Sequence, residues 1–144
     1  MTVSGEYGPS PRQWVRDQVE LYEASDGADG TTLRDTGLPV VLITMRGVRS
    51  GKIRKVPLMR VEHDGVYAAV ASVGGAPENP LWYRNLVAHP RVVLRDRDIV
   101  KEVTAREVFG AEKQLWWERA VTAYPPYAEY QTRTTRQIPV FVLE

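Results

Sequence analysis

Turn signals divide the middle of the chain into short apolar runs, and this spacing favours antiparallel strands joined by tight turns. The first run, residues 39–45, is rich in Val, Ile and Leu and is followed by a glycine-containing turn at residues 47–52. Two further runs, residues 55–62 and 66–73, flank the hairpin signal His63-Asp64-Gly65. Turns of this length join strands that are neighbours in space, so the pattern predicts an antiparallel sheet.

Helix signals surround these strands. Val15, Val19 and Tyr22 lie at helical spacing and predict a helix over residues 11–25. Asn79 occupies a typical N-cap position with Pro80 at the first helical position. This pair predicts a short helix over residues 80–87.

Strands and helices are predicted to alternate in the C-terminal half. Residues 91–95, 99–107 and 139–143 have strand character. A helix over residues 111–124 would place Trp117, Val121 and Tyr124 on one face, and a helical turn follows at residues 127–131. The chain therefore predicts an α+β barrel of about six mostly antiparallel strands with flanking helices. We expect one domain over residues 1–144, with the N-terminal helix at about 11–25 and the barrel at 38–144.

Composition excludes several kinds of functional site. The 144-residue chain is 43% apolar, which is enough to bury a core, and it contains no cysteine for disulfides, thiolate metal sites or nucleophiles. His63 and His89 both fall in turns, so we predict no metal site. The longest apolar stretch, Leu38 to Met45, is too short to span a bilayer. We expect a cytoplasmic protein, with weak peripheral contact of the N-terminal helix at the inner membrane face as an alternative.

Positive charge is concentrated around one turn. Residues 46–60 carry six positive charges and no negative ones, whereas the whole chain has a net charge of +1. Cations around a Ser-Gly turn with exposed N–H groups suit a phosphorylated ligand. The turn lacks the spacing of a nucleotide-binding phosphate loop, and no Rossmann glycine fingerprint follows a strand. Aromatic residues are not interleaved with these cations, so a small phosphorylated ligand is favoured over nucleic acid.

Two other segments carry residues suited to a flat ligand. Gly74 and Gly75 follow a strand and would let a planar molecule approach the backbone, and Trp82 and Tyr83 offer flat surfaces nearby. Tyr124, Tyr127 and Tyr130 surround Pro125-Pro126, where they could wall a pocket and donate hydrogen bonds or a proton. Glycine turns and core aromatic residues give the same patterns, so both interpretations stay open at this point.

In combination and order, several motifs resemble the deazaflavin (F420)-dependent nitroreductase family of F420H2-dependent quinone and nitro reductases. The resemblance covers about Leu38 to Leu143. Its motifs are Gly47-Val48-Arg49-Ser50-Gly51-Lys52-Ile53-Arg54, Pro57-Leu58-Met59, Ala71-Ser72-Val73-Gly74-Gly75-Ala76, Asn79-Pro80-Leu81-Trp82-Tyr83-Arg84-Asn85-Leu86 and Tyr124-Pro125-Pro126-Tyr127-Ala128-Glu129-Tyr130. The resemblance implies a split β-barrel of the FMN-binding-like type that holds reduced coenzyme F420 in a groove.

The resemblance also implies roles for individual residues. The cofactor's phosphate and glutamate tail would lie on the basic turn, at Val48, Arg49, Ser50, Lys52, Arg54 and Lys55. The groove beneath the cofactor would be lined by Val56, Pro57, Leu58 and Met59. The deazaflavin ring would contact Val70, Ala71, Ser72, Val73, Leu81, Trp82, Tyr83, Arg84, Asn85 and Tyr127. The catalytic and substrate-facing residues would be Tyr127, Tyr124, Tyr130 and Ser72. Family members often carry Tyr at the position of Met59, which leaves the substrate preference open.

The activity implied by the resemblance is hydride transfer from F420H2 to an electron-poor small molecule: a quinone, an enone or a nitroaromatic. A cofactor that carries the difficult chemistry would explain why the chain shows no nucleophile or metal motif. The alternatives are an FMN-dependent oxidase on the same barrel type, a non-catalytic F420 carrier, and a small-barrel nucleic-acid binder. We expect a monomer or weak homodimer with a small-molecule electron acceptor as its partner, no nucleic acid and no stable membrane insertion.

Overall fold

A computed structural model describes residues 3–33 and 36–144, so residues 1, 2, 34 and 35 of the predicted domain lie outside the described part. The described residues form four α-helices and seven strands, with one 3-10 turn at Val73–Gly75. The helices are α1 (Gln13–Ala24), α2 (Leu81–Ala88), α3 (Gly110–Ala123) and α4 (Pro126–Thr132). The strands are β1 (Val40–Arg46), β2 (Ile53–Met59), β3 (Val61–His63), β4 (Val66–Val70), β5 (Arg91–Asp96), β6 (Ile99–Glu107) and β7 (Val140–Leu143).

All seven strands belong to one antiparallel sheet in the order β2-β1-β5-β6-β7-β4-β3. The predicted α+β class and antiparallel pairing are therefore confirmed. The predicted strand 55–62 is wrong in one respect, because it is two strands that change partner at Arg60. Met59 pairs with Val40 of β1, whereas Val61 pairs with Ala68 of β4. Between them the Arg60 side chain turns to the Asp96 carboxylate at 2.9 Å.

Side chains alternate along the strands and build a hydrophobic core on each face of the sheet. On one face, which we call the α2 face, Ile43, Met45 and Phe141 are buried together with Leu86 of α2. On the other face, which we call the three-helix face, Leu42 and Val140 pack with residues of α1, α3 and α4. The candidate site residues divide between these two faces.

Helix α1 packs where its sequence pattern predicts. Val19 and Tyr22 are buried, and Val15 packs against the same core. The Tyr22 hydroxyl donates to the carbonyl oxygen of Val40 at 3.1 Å and accepts the N–H of Arg97 at 2.7 Å. These two bonds fix α1 against β1 and against the turn between β5 and β6. Within the described part of the chain, no helix is long and apolar enough to cross a bilayer.

Two details of the helix predictions are wrong. Helix α2 begins at Leu81 with Pro80 in the N-cap position, so Asn79 does not cap it; the Asn79 side-chain oxygen instead accepts a hydrogen bond from Arg136 at 2.8 Å. On α3 the buried residues are Trp116 and Ala120. The predicted inner-face residues Trp117, Val121 and Tyr124 are only partly buried at the edge of the same core. The core of the three-helix face lies about one residue earlier on the helix than the sequence pattern suggests.

Candidate functional site

The basic turn between β1 and β2 lies directly against α2. The N–H of Val48 donates to the side-chain oxygen of Asn85 at 2.9 Å, and the Asn85 amide group contacts the Met45 sulfur at 3.6 Å. Asn85 therefore fixes the turn to the helix that follows the glycine-rich segment. Two segments that were predicted separately, the cationic turn and the α2 region, meet at this point.

The cations on and around the basic turn fall into two groups: those that bond other parts of the fold and those that do not. Arg46 donates to the carbonyl oxygens of Ser4 and Gly51, Arg54 to the carbonyl oxygen of Gly8, and Arg60 to Asp96. Lys55 forms an ion pair with Glu23 of α1 at 2.7 Å. The side chains of Arg49 and Lys52 on the turn, and of Arg84 on α2, have no hydrogen bond or ion pair to any described residue. These three cations are the ones that the fold leaves available to an anionic ligand.

The N-terminal segment explains why several cations are engaged. Residues 6–8 lie along the start of the edge strand β2, where the N–H of Ile53 donates to Glu6 at 2.8 Å and the N–H of Gly8 to Ile53 at 2.9 Å. The Lys55 ammonium group lies 4.8 Å from the centre of the Tyr7 ring. Neither Glu23 nor Tyr7 was predicted to be near the site. No local signal could have found them, because they reach β2 only through the packing of α1 and the segment before it.

A group of half-buried apolar side chains lies on the α2 face beside the basic turn. It consists of Val56, Leu58, Trp82 and Tyr83, all of which pack on the core around Phe141. The rings of Trp82 and Tyr83 lie 6.3 and 5.5 Å from that of Phe141. The Tyr83 hydroxyl donates to Glu107 at 2.7 Å, and this hydrogen bond, with burial, raises the pKa of Tyr83. Leu81 is 83% exposed and Pro57 half-buried, so the group borders open surface.

The tyrosine cluster lies on the three-helix face. The hydroxyls of Tyr124 and Tyr130 are 3.0 Å apart, and the Tyr127 ring packs edge-on against both neighbours. Burial raises the pKa of Tyr127, and the hydrogen bond to Tyr130, with burial, raises the pKa of Tyr124 to about 12. Both phenols therefore stay protonated near neutral pH. Within the described residues the Tyr127 hydroxyl has no hydrogen-bond partner, and Met59 and Val70 are buried in the same core.

The turn that follows β4 connects the two faces. Gly75 has a positive φ of 82°, and a side chain there would lie 2.5 Å from the carbonyl oxygen of Tyr130. Only glycine fits this close approach, which holds the turn against α4. Ala71 and Ser72 are buried, Val73 is exposed, and the Ser72 hydroxyl has no hydrogen-bond partner among the described residues. The predicted ring and substrate residues thus lie on both sides of one turn.

Two hollows of the structure lie away from the predicted site residues. A hollow of about 390 Å³ is bordered by Arg60, His63 and Arg119, and one of about 350 Å³ by Lys113, Trp117 and Gln131. Neither is lined by a predicted cofactor or catalytic residue. Across residues 3–33 and 36–144, no three His, Cys, Asp or Glu side chains converge as a metal site would require. The candidate site is the junction of the basic turn, α2 and the glycine turn, where Leu81 and Val73 are exposed.

Sequence comparison identifies the family of this chain. Residues 14–144 match the F420H(2)-dependent quinone reductase family. An F420H(2)-dependent quinone reductase of Mycobacterium tuberculosis is 31% identical over 134 residues, which cover 91% of this chain and 89% of the relative. This chain belongs to the F420H(2)-dependent quinone reductase family. The cofactor of the family is coenzyme F420 and its members are oxidoreductases, so the predicted family, enzyme class and cofactor are confirmed.

Solved structures agree with this assignment. An F420-H2-dependent reductase is 58% identical with a TM-score of 0.70, over 74% of this chain and 94% of that one. A structure described as a domain-swapped dimer is 53% identical with a TM-score of 0.73, over 94% of this chain and 100% of that one. A protein of the pyridoxinephosphate oxidase family from Clostridium acetobutylicum, 14% identical with a TM-score of 0.50 over 88% of this chain and 84% of that one, shares the fold. The predicted split β-barrel is confirmed.

Proposed function

We propose that this family member transfers a hydride from F420H2 to an electron-poor small molecule such as a quinone, an enone or a nitroaromatic. The observation that carries the proposal is the family match over residues 14–144. The open apolar surface beside uncommitted cations supports it, because such a surface suits a flat ring with an anionic tail.

The side chains of the site fit the cofactor. Arg49, Lys52 and Arg84 would hold the phosphate and glutamates, since their charges are not used within the described fold. The half-buried group of Val56, Leu58, Trp82 and Tyr83 would lie beneath the ring. Arg54 and Lys55 would join the tail contacts only by leaving Gly8 and Glu23, so we assign them a secondary role. Ser50 accepts the N–H of Lys52 at 3.1 Å and helps to keep the turn in shape.

The chain's own contribution would be orientation and hydrogen bonding. When bound, F420H2 supplies the hydride. The hydroxyls of Ser72 and Tyr127 have no partners among the described residues, so both are available to an acceptor's oxygen or nitro group. The raised pKa of Tyr127 keeps its phenol protonated near neutral pH, so it would act as a hydrogen-bond donor. Tyr124 and Tyr130, whose hydroxyls are paired, would support the Tyr127 ring and wall the acceptor's side of the site.

We also propose that the protein is one domain and that it acts as a monomer or a weak homodimer. A relative that is 53% identical is described as a domain-swapped dimer, which supports self-association. Sedimentation of this chain over a range of concentrations would decide between the two states.

The test is a titration of the purified protein with F420, followed by deazaflavin fluorescence. Reduced cofactor is then mixed without oxygen with a panel of quinones, enones and nitroaromatics, and its reoxidation is recorded. We expect saturable binding and acceptor-dependent reoxidation. A protein that purifies yellow and binds FMN but not F420 would support the oxidase alternative. Binding of F420 without reoxidation by any acceptor would support the alternative of a non-catalytic carrier. Affinity for oligonucleotides with a steep salt dependence would support the alternative of a nucleic-acid binder.

A further inference from the structure

We infer that Arg136 is a positioning residue that fixes the turn of residues 71–79 in the shape that meets the cofactor and the acceptor. The inference rests on the proposed function and adds to it a residue that lies outside every predicted motif.

Every nitrogen of the Arg136 guanidinium donates a hydrogen bond to the turn. Nε bonds the carbonyl oxygen of Ala76 at 2.9 Å, and Nη2 that of Ser72 at 2.8 Å. Nη1 bonds the carbonyl oxygen of Ala71 at 3.2 Å and the side-chain oxygen of Asn79 at 2.8 Å. The fork therefore spans the turn from its first residue to its last, which a single-point cation such as lysine cannot do.

The turn that Arg136 holds has an unfavourable backbone. Val73 has a positive φ of 44°, which is rare for a β-branched residue, and Gly74 and Gly75 continue in the same region. The Val73 side chain is 45% exposed, so packing does not compensate for this conformation. Such strain persists only where the surrounding structure fixes both ends of the segment. Arg136 supplies bonds at both ends.

Arg136 is itself held by the helix that carries the tyrosines. The side-chain amide of Gln131, on α4, donates to the carbonyl oxygen of Arg136 at 2.8 Å, and its oxygen accepts the N–H of Ile138 at 3.1 Å. A continuous set of bonds thus runs from α4 through Arg136 to Ser72. Arg136 would thus link the tyrosine helix to the glycine turn, and its effect on binding is indirect because it need not touch the ligand.

The test compares Arg136→Gln and Arg136→Lys with the control Arg91→Gln. Arg91 is an exposed arginine on β5 that bonds Thr104 and pairs with Glu102, away from the turn. In the cofactor-free proteins, amide hydrogen exchange is measured at Gly75 and Ala76, whose N–H groups donate to Ser72 and Val73. In Arg136→Gln we expect exchange at these two amides to be about tenfold faster or more, with unfolding midpoints close to that of the control.

Binding is measured with F420 and with the deazaflavin chromophore that lacks the phosphate and glutamates. We expect Arg136→Gln to weaken both by a similar factor of about ten, because the tail cations lie on another segment. Arg136→Lys keeps the charge but not the fork, so we expect it to restore only part of the affinity and of the exchange protection. A purely electrostatic role would be restored by lysine, and that result would overturn the inference.

The two proposals fail in different ways. If the wild type binds no F420, the proposed function is overturned. If the wild type binds F420 and Arg136→Gln binds the chromophore as tightly as Arg91→Gln does, only the role of Arg136 is overturned. Should the glutamine variant not fold, the lysine variant decides, because unchanged exchange and affinity in that variant contradict a role for the fork.

Discussion

The tyrosines on the three-helix face differ in whether the fold already uses their hydroxyls. The Tyr22 hydroxyl forms hydrogen bonds with two backbone groups, and the hydroxyls of Tyr124 and Tyr130 are hydrogen-bonded to each other. Tyr127 is equally well packed, but its hydroxyl bonds no described residue. Because the Tyr127 ring is buried but its hydroxyl is unused, removing the hydroxyl alone separates its contribution to function from the contribution of the ring to stability.

We expect Tyr127→Phe to slow turnover by at least about tenfold while changing the free energy of unfolding by less than about 0.5 kcal/mol. The reason is that phenylalanine keeps the ring packing and removes only the unused hydroxyl. Steady-state kinetics with a quinone and denaturant unfolding provide the two measurements. The control is Tyr22→Phe, which should lose about 1–2 kcal/mol of stability with normal turnover. Normal turnover in Tyr127→Phe would exclude the proposed donor.

Val73 provides a test of backbone strain at the site. Asparagine adopts positive φ more readily than a β-branched residue, and little packing is lost at this exposed position. We expect Val73→Asn to raise the free energy of unfolding by about 1 kcal/mol. Urea unfolding measures the change, and Val48→Asn, at an exposed valine of the basic turn without a positive φ, is the control. A destabilised Val73→Asn protein would show that the turn is not strained.

At the scale of secondary structure elements, α1 restricts the charge available on β2. The Glu23–Lys55 ion pair is partly buried, and a polyanionic tail would have to compete with the Glu23 carboxylate for Lys55. We expect Glu23→Gln to tighten F420 binding by up to about fivefold, which corresponds to the energy of one partly exposed ion pair. The comparison variant is Glu20→Gln, an exposed carboxylate on the same helix. Fluorescence titration at low salt measures both.

Equal tightening in the two glutamine variants would mean that only the overall charge of α1 matters. No tightening in Glu23→Gln would mean that the tail does not reach Lys55. Either result would leave Arg49, Lys52 and Arg84 as the candidate tail residues.

For the whole molecule, tyrosines with raised pKa values make stability depend on pH in alkaline solution. The pKa of Tyr67 is raised to about 12, chiefly by burial and also by its hydrogen bond to Asp96, and that of Tyr124 is also raised to about 12. Above pH 10 the unfolded chain loses these protons before the folded protein does. The free energy of unfolding must therefore fall as the pH rises from about 10 to 12.

We expect the ionisation of these two tyrosines in the unfolded chain to lower the free energy of unfolding by about 2 kcal/mol between about pH 9 and pH 11. Urea unfolding at both pH values measures the loss. Tyr67→Phe removes one titrating group and should make the measured loss smaller by about 1 kcal/mol. A variant with the same loss as the wild type would show that lysine deprotonation, not Tyr67, governs the alkaline limb.

Local patterns in the sequence were sufficient for most of the elements and for the family. The hairpin at Asp64-Gly65, the helix with Val19 and Tyr22 inward, and the antiparallel class all depend on short-range spacing, which the sequence displays directly. The motif order from Gly47 to Tyr130 was specific enough to identify the cofactor class. The predicted ends of elements differ from the observed ones where a tertiary contact competes with a local preference. The local sequence favours Asn79 as the N-cap of α2, but its side-chain oxygen accepts a hydrogen bond from Arg136 instead.

The sequence by itself determined the fold class and the residue types that meet an anionic, planar cofactor. Only the tertiary structure decided which of those residues are available. Residues 46–60 contain no acidic residue, yet Glu23 and Asp96 neutralise Lys55 and Arg60 from distant parts of the chain. Arg136 showed no local signal, since its four acceptors lie at least 57 residues away along the chain. Charge pairing and hydrogen bonding depend on distance in space, and folding sets that distance independently of separation in sequence.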